Sequence, residues 1–184
     1  MMTKKDIRLN TPLTTEALKQ LRAGDMVLLS GTVYGARDMA HKRIVRSIQK
    51  KEPLPLDLDQ ATLFYVGPSP TPPGKKSGSV GPTTAARMDR LTEPLLKQGV
   101  KAMIGKGTRG SGLKDALQTY GAVYLIAIGG IAAYLSTKIK RIEQIAYPDL
   151  GAEALYRLDL EDFPLFVAYD LYGGDIFARA RRKQ

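Results

Sequence analysis

The chain of 184 residues contains no cysteine and a single histidine, His41. Without cysteine it can form no disulfide, no thiolate-bound zinc site and no iron–sulfur cluster held by its own thiolates. One histidine is also too few for a metal site built from histidines. No metal site is therefore predicted in this chain, and any metal centre would need a carboxylate cage or a second polypeptide.

The chain also lacks a long apolar run. The longest candidate, residues 122–131, is shorter than the roughly 18 residues that span a bilayer, and Gly129 and Gly130 interrupt it. The first 22 residues mix charged and polar side chains and have no apolar centre of the kind found in signal peptides. These absences predict a cytoplasmic protein without a membrane partner.

Acidic residues are scarce relative to basic ones. The chain has 18 Asp and Glu against 28 Lys and Arg, a net charge of +10. Such an excess suits an anionic partner, either nucleic acid or an acidic substrate. Most of the basic residues are scattered, and only residues 179–184 form a concentrated run, which we interpret as a solvated basic tail. A basic nucleic-acid-binding module remains an alternative from another functional class.

Short apolar segments alternate with helical patterns, which predicts one layered α/β domain over residues 1–184 with a mostly parallel sheet. Residues 67–80 are rich in Pro, Gly and Lys, and predict an exposed loop. Three segments near the C-terminus predict an antiparallel part. The predicted strands are 26–34, 61–66, 100–104, 122–128, 144–147, 154–160 and 165–170, and the predicted helices are 15–22, 36–51, 83–98, 112–119 and 130–141.

The segment 81–89, Gly-Pro-Thr-Thr-Ala-Ala-Arg-Met-Asp, has the composition of an anion-binding turn. Its proline favours a turn that leads into a helix, and Thr83 and Thr84 can each cap that helix. Arg87 follows them at a spacing that places its guanidinium on the same face. Hydroxyls, free amides and a cation would then suit a carboxylate or a phosphate. The alternative is an ordinary capped helix with a solvated arginine.

Two other turns have similar chemistry. Arg37 opens a helix directly after the first predicted strand, and Lys106 follows the strand at 100–104. Ligands of such sheets gather at the carboxyl ends of the strands, so the three turns are expected to share one crevice. Two arginines and a lysine at one place would recognise a dianion such as a small dicarboxylate.

Other motifs receive less support. Residues 105–110 match Gly-x-Gly-x-x-Gly, but the next predicted strand does not end in the acidic residue that a dinucleotide site uses for the ribose. We expect His41 to pack or to make a local hydrogen bond rather than to act as a base. Asp38 is expected to pair with Lys42, four residues further along the helix.

Four segments together resemble the beta subunit, or C-terminal domain, of class I fumarases, and the resemblance extends over nearly the whole chain. They are residues 31–43, 81–89, 103–107 and 129–135. The related L-tartrate dehydratase beta subunits share much of this pattern and provide the alternative assignment. The resemblance implies a swivelling β/β/α domain, and the segment at 129–135 favours fumarate over tartrate as the substrate.

The resemblance also implies an activity and a site. It implies a hydro-lyase that interconverts fumarate and malate, whose [4Fe–4S] cluster is held by three cysteines of a partner alpha subunit in a hetero-oligomer. By motif position, the candidate catalytic residue is Thr83, and the residues for the substrate carboxylates are Arg37, Arg87 and Lys106. Thr84, in the same turn, is assigned to substrate binding.

One segment departs from the family pattern. Many class I fumarases have Asp-x-Lys-Gly-Asn near the C-terminus, whereas this chain has Asp-Leu-Tyr-Gly-Gly at residues 170–174. The family role of that lysine and asparagine therefore cannot be transferred to this chain.

Overall fold

The computed structural model of the protein describes residues 6–70, 73–74 and 78–181. The predicted loop at 67–80 and the predicted basic tail at 179–184 lie partly outside the described residues. The strands are β1 (Ile7–Asn10), β2 (Met26–Gly35), β3 (Thr62–Phe64), β4 (Ala102–Gly105), β5 (Val123–Ile126), β6 (Ile139–Ala146) and β7 (Leu155–Tyr169). The helices are α1 (Thr15–Lys19), α2 (Asp38–Lys50), α3 (Asp89–Lys97), α4 (Ser111–Tyr120), α5 (Ala132–Thr137) and α6 (Ile176–Arg181), with 3-10 helices at Ala85–Met88 and Pro148–Glu153.

The strands form one mixed sheet in the order β1-β2-β3-β4-β5-β7-β6. Strands β1 to β5 pair in parallel, and β7 is antiparallel to β2, β5 and β6. Because β7 pairs with both β5 and β2, the strands β2, β3, β4, β5 and β7 close into a ring. The prediction of an α/β fold with an antiparallel C-terminal part is confirmed.

The sheet separates two hydrophobic layers. Neighbouring residues of a strand point to opposite faces, so Phe64, Ile104 and Leu125 fill the ring, while Leu63 and Met103 face outward. Apolar residues of α2, α3 and α4, among them those at 44, 95 and 117, cover the outer face. Since both faces are buried, the central strands are apolar throughout. This explains why they could be recognised in the sequence.

The C-terminal strands differ from the prediction. The two predicted strands at 154–160 and 165–170 are parts of one strand, β7, which pairs with β2 from Gly35↔Tyr156 to Met26↔Phe166. Asp162, with a φ of +47°, and Pro164 give this stretch the composition of a turn, but it forms only a bulge, because the pairing with β2 continues on both sides of a register shift between Leu29 and Gly31. The predicted helix at 130–141 is wrong after Thr137, because β6 starts at Ile139 and pairs with β7. Strand β1 was not predicted.

The turn at 81–89 also differs from the prediction. Thr83 donates its N–H to the Tyr65 carbonyl at 2.7 Å, and its own carbonyl accepts the N–H of Lys106 at 3.1 Å. The chain is therefore extended here and becomes helical only from Ala85. Thr84 stands at the cap position but makes no capping hydrogen bond. The predicted caps are wrong because residues 83–85 pair with the segments that follow β3 and β4, and this pairing overrides the local preference.

Candidate functional site

The three turns that the sequence singled out lie at one edge of the ring. Parallel strands β2, β3 and β4 end at Gly35, Phe64 and Gly105, and the chain beyond each strand contacts its neighbour. The N–H of residue 36 bonds to the Phe64 carbonyl at 2.9 Å, and Thr84 forms a parallel bridge with Lys106. The structure therefore brings the segments of all five predicted site residues together.

Arg37 stands at the N-cap of α2, with about a quarter of its side chain exposed. Its Nη2 lies 3.5 Å from Oε1 of Glu153, and Oε2 of Glu153 accepts the Met39 N–H at 3.0 Å. Gly67 leaves room for the Arg37 side chain, since a Cβ at position 67 would lie 2.8 Å from Arg37 Cδ. Arg37 Nε is buried and has no hydrogen-bond partner among the described residues. Glu153 and Gly67 were missed by the sequence reasoning because they are distant in the chain.

His41 supports Arg37 from behind. It is fully buried, its Nδ1 lies 2.9 Å from the Arg37 carbonyl oxygen, and its ring meets Tyr65 edge to face. Burial lowers the pKa of His41 to about 4, so the imidazole is neutral at pH 7. The prediction of a packed histidine with a local hydrogen bond is confirmed.

Arg87 forms a two-bond ion pair with Asp38. Arg87 Nε donates to Asp38 Oδ1 at 2.9 Å, and Nη2 donates to Oδ2. Burial raises the pKa of Asp38, but the hydrogen bonds and charge of Arg87 outweigh it, so the carboxyl pKa is lowered overall. The predicted pair with Lys42 is wrong, because the 3-10 helix at Ala85–Met88 contacts α2 and offers a planar guanidinium that matches the carboxylate.

Three polar side chains at this edge have no partner among the described residues. Thr83 is half-buried, and Thr84 and Lys106 are exposed. None of their side chains makes a hydrogen bond or an ion pair within the described part of the chain. Arg87 Nη1 also has no acceptor there, since Asp38 takes only Nε and Nη2. This edge of the ring thus offers a ligand the two threonine hydroxyls, the Lys106 ammonium and the Nη1 group of Arg87.

A buried arginine lies beneath this edge and was not predicted. The guanidinium of Arg109 is fully buried and bonds to Asp89 through Nε and to Thr92 Oγ1 through Nη2 at 2.8 Å. Burial disfavours its charge, but Tyr65 and Asp89 outweigh this effect and raise the pKa of Arg109. No local pattern indicates that Arg109 is buried, because it lies in a glycine-rich stretch that is typical of exposed loops.

The described residues supply no metal centre. No group of three or more His, Cys, Asp or Glu side chains within residues 6–70, 73–74 and 78–181 could hold a metal ion. Together with the absence of cysteine from the whole chain, this leaves no ligand set for an iron–sulfur cluster. In the same part of the chain, no helix has the length and apolar character needed to cross a bilayer.

Known proteins resemble this chain over nearly its whole length. The family model for the fumarase C-terminus matches residues 1–180. "Fumarate hydratase class I, aerobic" of Salmonella typhimurium is 38% identical over 182 residues, which are 97% of this chain and 31% of that protein. "Fumarate hydratase 2" of Leishmania major is 38% identical over 178 residues, which are 96% of this chain and 31% of that protein.

A two-subunit enzyme provides a relative of similar length. "L(+)-tartrate dehydratase subunit beta" of Escherichia coli is 34% identical over 179 residues, which are 95% of this chain and 88% of that subunit. This chain therefore spans about a third of the two fumarate hydratases but most of the tartrate dehydratase subunit. From its sequence over residues 1–180, the chain belongs to the fumarase C-terminus family.

Proposed function

We propose that this chain is the beta subunit of a hydro-lyase that interconverts fumarate and (S)-malate by reversible hydration. The observation that carries the proposal is the edge of the ring where the segments of Arg37, Arg87 and Lys106 come together beside Thr83, whose hydroxyl has no partner among the described residues. Relatives named fumarate hydratase support the reaction class. The family resemblance supports the finer description of the fold as a swivelling domain.

The substrate is a dianion, and the edge offers positive charge for it. Asp38 binds the Nε and Nη2 side of Arg87 and so orients Nη1 away from the carboxylate, toward a ligand. Glu153 contacts Arg37 through one ion pair, in which Nη2 lies 3.5 Å from Oε1. Lys106 has no internal counter-ion in the described residues and contributes a full positive charge. Thr84 adds a hydroxyl that can donate to a carboxylate.

The chemical step assigned to this chain is proton transfer at Thr83. In the direction of dehydration, Thr83 Oγ1 takes a proton from the CH2 carbon of malate, the released electron pair forms the C=C bond, and hydroxide leaves the neighbouring carbon. The cluster of the alpha subunit would supply a Lewis acid for that hydroxide. In hydration, hydroxide adds to the neighbouring carbon and Thr83 returns the proton to the first. A threonine hydroxyl is a weak base at neutral pH. Arg87 and Lys106, next to it in the fold, would stabilise the alkoxide and lower the pKa of the hydroxyl.

The cluster and the partner belong to the same proposal. We place the [4Fe–4S] cluster on an alpha subunit with three cluster cysteines, because this chain has no cysteine and its described residues contain no other metal-binding group. Three large apolar side chains are exposed beyond β2 and β5, whose carboxyl ends lie at the same edge of the sheet as the candidate site: Met39, Ile128 and Tyr134, at 42%, 45% and 51%. An alpha subunit that covers this edge would bury them and complete the site in a hetero-oligomer.

The proposal is tested by anaerobic reconstitution with an alpha subunit whose cluster is intact. We expect the chain alone to be inactive and the complex to hydrate fumarate. Thr83→Ala should lower kcat by about 100-fold or more, as expected for the loss of an acid–base group. Arg87→Ala should raise KM and lower kcat, while both variants still assemble with the alpha subunit.

Matched controls are available on the helices. Arg46 on α2 is exposed, and Thr119 on α4 bonds only to the Asp115 carbonyl. Arg46→Ala and Thr119→Ala should leave both kinetic constants unchanged. Near-normal rates for both Thr83→Ala and Arg87→Ala would contradict the site assignment.

L-tartrate dehydration is the second candidate. It is favoured by the relative of similar length, the tartrate dehydratase subunit beta. Fumarate and L-tartrate are therefore assayed side by side on the same complex. A higher kcat/KM for L-tartrate would replace fumarate as the substrate and leave the assignment of Thr83 and Arg87 in place.

A further inference from the structure

We propose that Asp89 and Arg109 are positioning residues that set the distance between Arg87 and Lys106. The inference rests on the proposed function, because it assigns the pair a role through those two substrate-binding cations. Asp89 follows Arg87 by two residues, and Arg109 follows Lys106 by three. The ion pair is therefore a short bridge between the two turns that carry the cations.

Every polar nitrogen of Arg109 is used inside the protein. Nε bonds to Asp89 Oδ1, Nη2 donates to Thr92 Oγ1 at 2.8 Å, and Nη1 donates to the Tyr65 hydroxyl at 3.3 Å. Its backbone N–H donates to the Tyr169 hydroxyl at 3.0 Å. The guanidinium is thus held by two residues of α3 and by Tyr65, which follows β3, and the backbone is held by Tyr169 of β7.

Asp89 completes the bridge from the other side. Its second oxygen, Oδ2, accepts the N–H of Gly110 at 2.7 Å. One carboxylate at the start of α3 therefore binds both the side chain of Arg109 and the backbone of the next residue. This ties both ends of the segment 106–110, because Lys106 is bonded to Thr83 and Ala85 through its own backbone.

A charged bridge provides something that an apolar contact would not. A buried ion pair is a poor source of stability compared with apolar residues of the same volume, but its bonds are directional and fix one geometry. A dicarboxylate carries its two charges at a set spacing, so the cations that bind it need a matching spacing. Displacement by about 1 Å can reduce turnover by about 100-fold.

The test uses the reconstituted complex with Asp89→Asn and Arg109→Lys. Fumarate kinetics are combined with inhibition by succinate, a dicarboxylate, and by propionate, a monocarboxylate. We expect KM for fumarate and Ki for succinate to rise by about 10-fold or more, because misplaced cations cannot both reach one dianion. Ki for propionate should stay within about two-fold, because each cation is still present.

A second ion pair provides the control. Lys114 on α4 bonds to Asp175, whose side chain is only 7% exposed, and neither residue lies next to the candidate site in the chain. Asp175→Asn should reduce stability without changing the ratio of the succinate Ki to the propionate Ki. If Asp89→Asn and Arg109→Lys also leave this ratio unchanged and lower only Vmax, the pair is structural and the inference is overturned.

Hydrogen exchange of the free chain separates this inference from the proposed function. Arg109→Lys should speed amide exchange in both the 105–110 and the 85–89 segments, with no change in β1. Unchanged exchange in these two segments would overturn the positioning role even in an active enzyme. A wild-type complex that is inactive on fumarate and L-tartrate would contradict the proposed function instead. The exchange result would then be the test of the positioning role of Asp89 and Arg109.

Discussion

Two arginine–aspartate pairs lie close together in this fold and serve different ends. The pair of Arg87 and Asp38 is at the surface, with 47% of the arginine side chain exposed, and leaves one guanidinium nitrogen without an acceptor in the described residues. The pair of Arg109 and Asp89 is buried, with the arginine side chain at 0%, and all its nitrogens are bonded. In our proposal, the exposed pair contributes to substrate binding and the buried pair supports it.

The difference follows from what each guanidinium still has available. A ligand can approach only a donor that is exposed and unpaired, which applies to Arg87 and not to Arg109. A buried charge whose nitrogens are all hydrogen-bonded instead makes its surroundings rigid, because the loss of one partner leaves an unpaired charge. The two pairs should therefore respond differently to mutation. Loss of the buried pair should reduce stability as well as substrate binding, whereas loss of the exposed pair should reduce substrate binding with little effect on stability.

The largest expected effect is the loss of stability when the buried pair of Arg109 and Asp89 is broken. Arg109→Met should lower the free energy of unfolding by about 3 kcal/mol or more, since removing one partner of a buried ion pair has this cost. Urea denaturation monitored by circular dichroism measures it. A loss as small as that of Asp38→Asn would remove the distinction between the two pairs.

His41, which is buried behind Arg37, should make the free energy of unfolding depend on pH. Its pKa is lowered from 6.5 to about 4 in the folded protein, so between these values the unfolded chain binds a proton that the folded chain does not. The contribution of His41 to the free energy of unfolding is therefore fully present above pH 6.5, and it falls by about 1.4 kcal/mol per pH unit as the pH decreases toward 4.

The measurement is a difference between two proteins. Asp38 and Asp175, with lowered pKa values, also lose stability in acid, so the wild type is compared with His41→Gln across pH 4 to 7. The variant should show a shallower decline. Parallel curves would mean that His41 titrates in the folded state as it does in the unfolded chain.

Gly67 tests the exposed edge through Arg37. A Cβ there would lie 2.7 Å from the Ala152 carbonyl oxygen and 2.8 Å from Arg37 Cδ. Gly67→Ala should displace the arginine, raise KM, and reduce the free energy of unfolding by about 1 to 3 kcal/mol through overpacking. Gly112→Ala is the matched control, because a Cβ there meets nothing within 4 Å, and it should stabilise α4 slightly. Equal behaviour of the two variants would refute the close packing at Gly67.

The smallest effect on stability is expected at the exposed pair. Asp38→Asn should change the free energy of unfolding by less than about 1 kcal/mol, as is usual for partly exposed ion pairs. It should nevertheless raise KM for the substrate, because Arg87 loses the partner that orients it. A loss of stability with an unchanged KM would contradict the role assigned to the exposed pair of Arg87 and Asp38.

The sequence could predict the elements whose pattern is local. The strands that became β4 and β5 are apolar because both of their faces are buried, whereas β2 alternates buried and partly buried residues. Helices α2 and α4 have clear helical spacing with glycine or left-handed ends. Arg37, Arg87 and Lys106 could be grouped in advance because the carboxyl ends of parallel strands meet at one edge. Their functional roles remain predictions.

What escaped prediction depends on contacts between distant residues. The 3.0 Å bond from Ala85 N–H to the Lys106 carbonyl decides that residues 83 and 84 are extended, and no local pattern reveals it. The burial of Arg109 depends on Asp89, Thr92 and Tyr65 reaching it from other elements. In β6, exposed charged residues conceal the alternation of a strand, because only its pairing with β7 keeps it in place.

The closure of the ring by β7 has a consequence for the order of folding. During synthesis from the N-terminus, the long edge of β2 has been made well before residues 155–169, which are its partner. Until then its backbone donors and acceptors along that edge are open to any other extended chain. The nascent protein therefore passes through a stage in which premature release or stalling exposes a strand that favours aggregation.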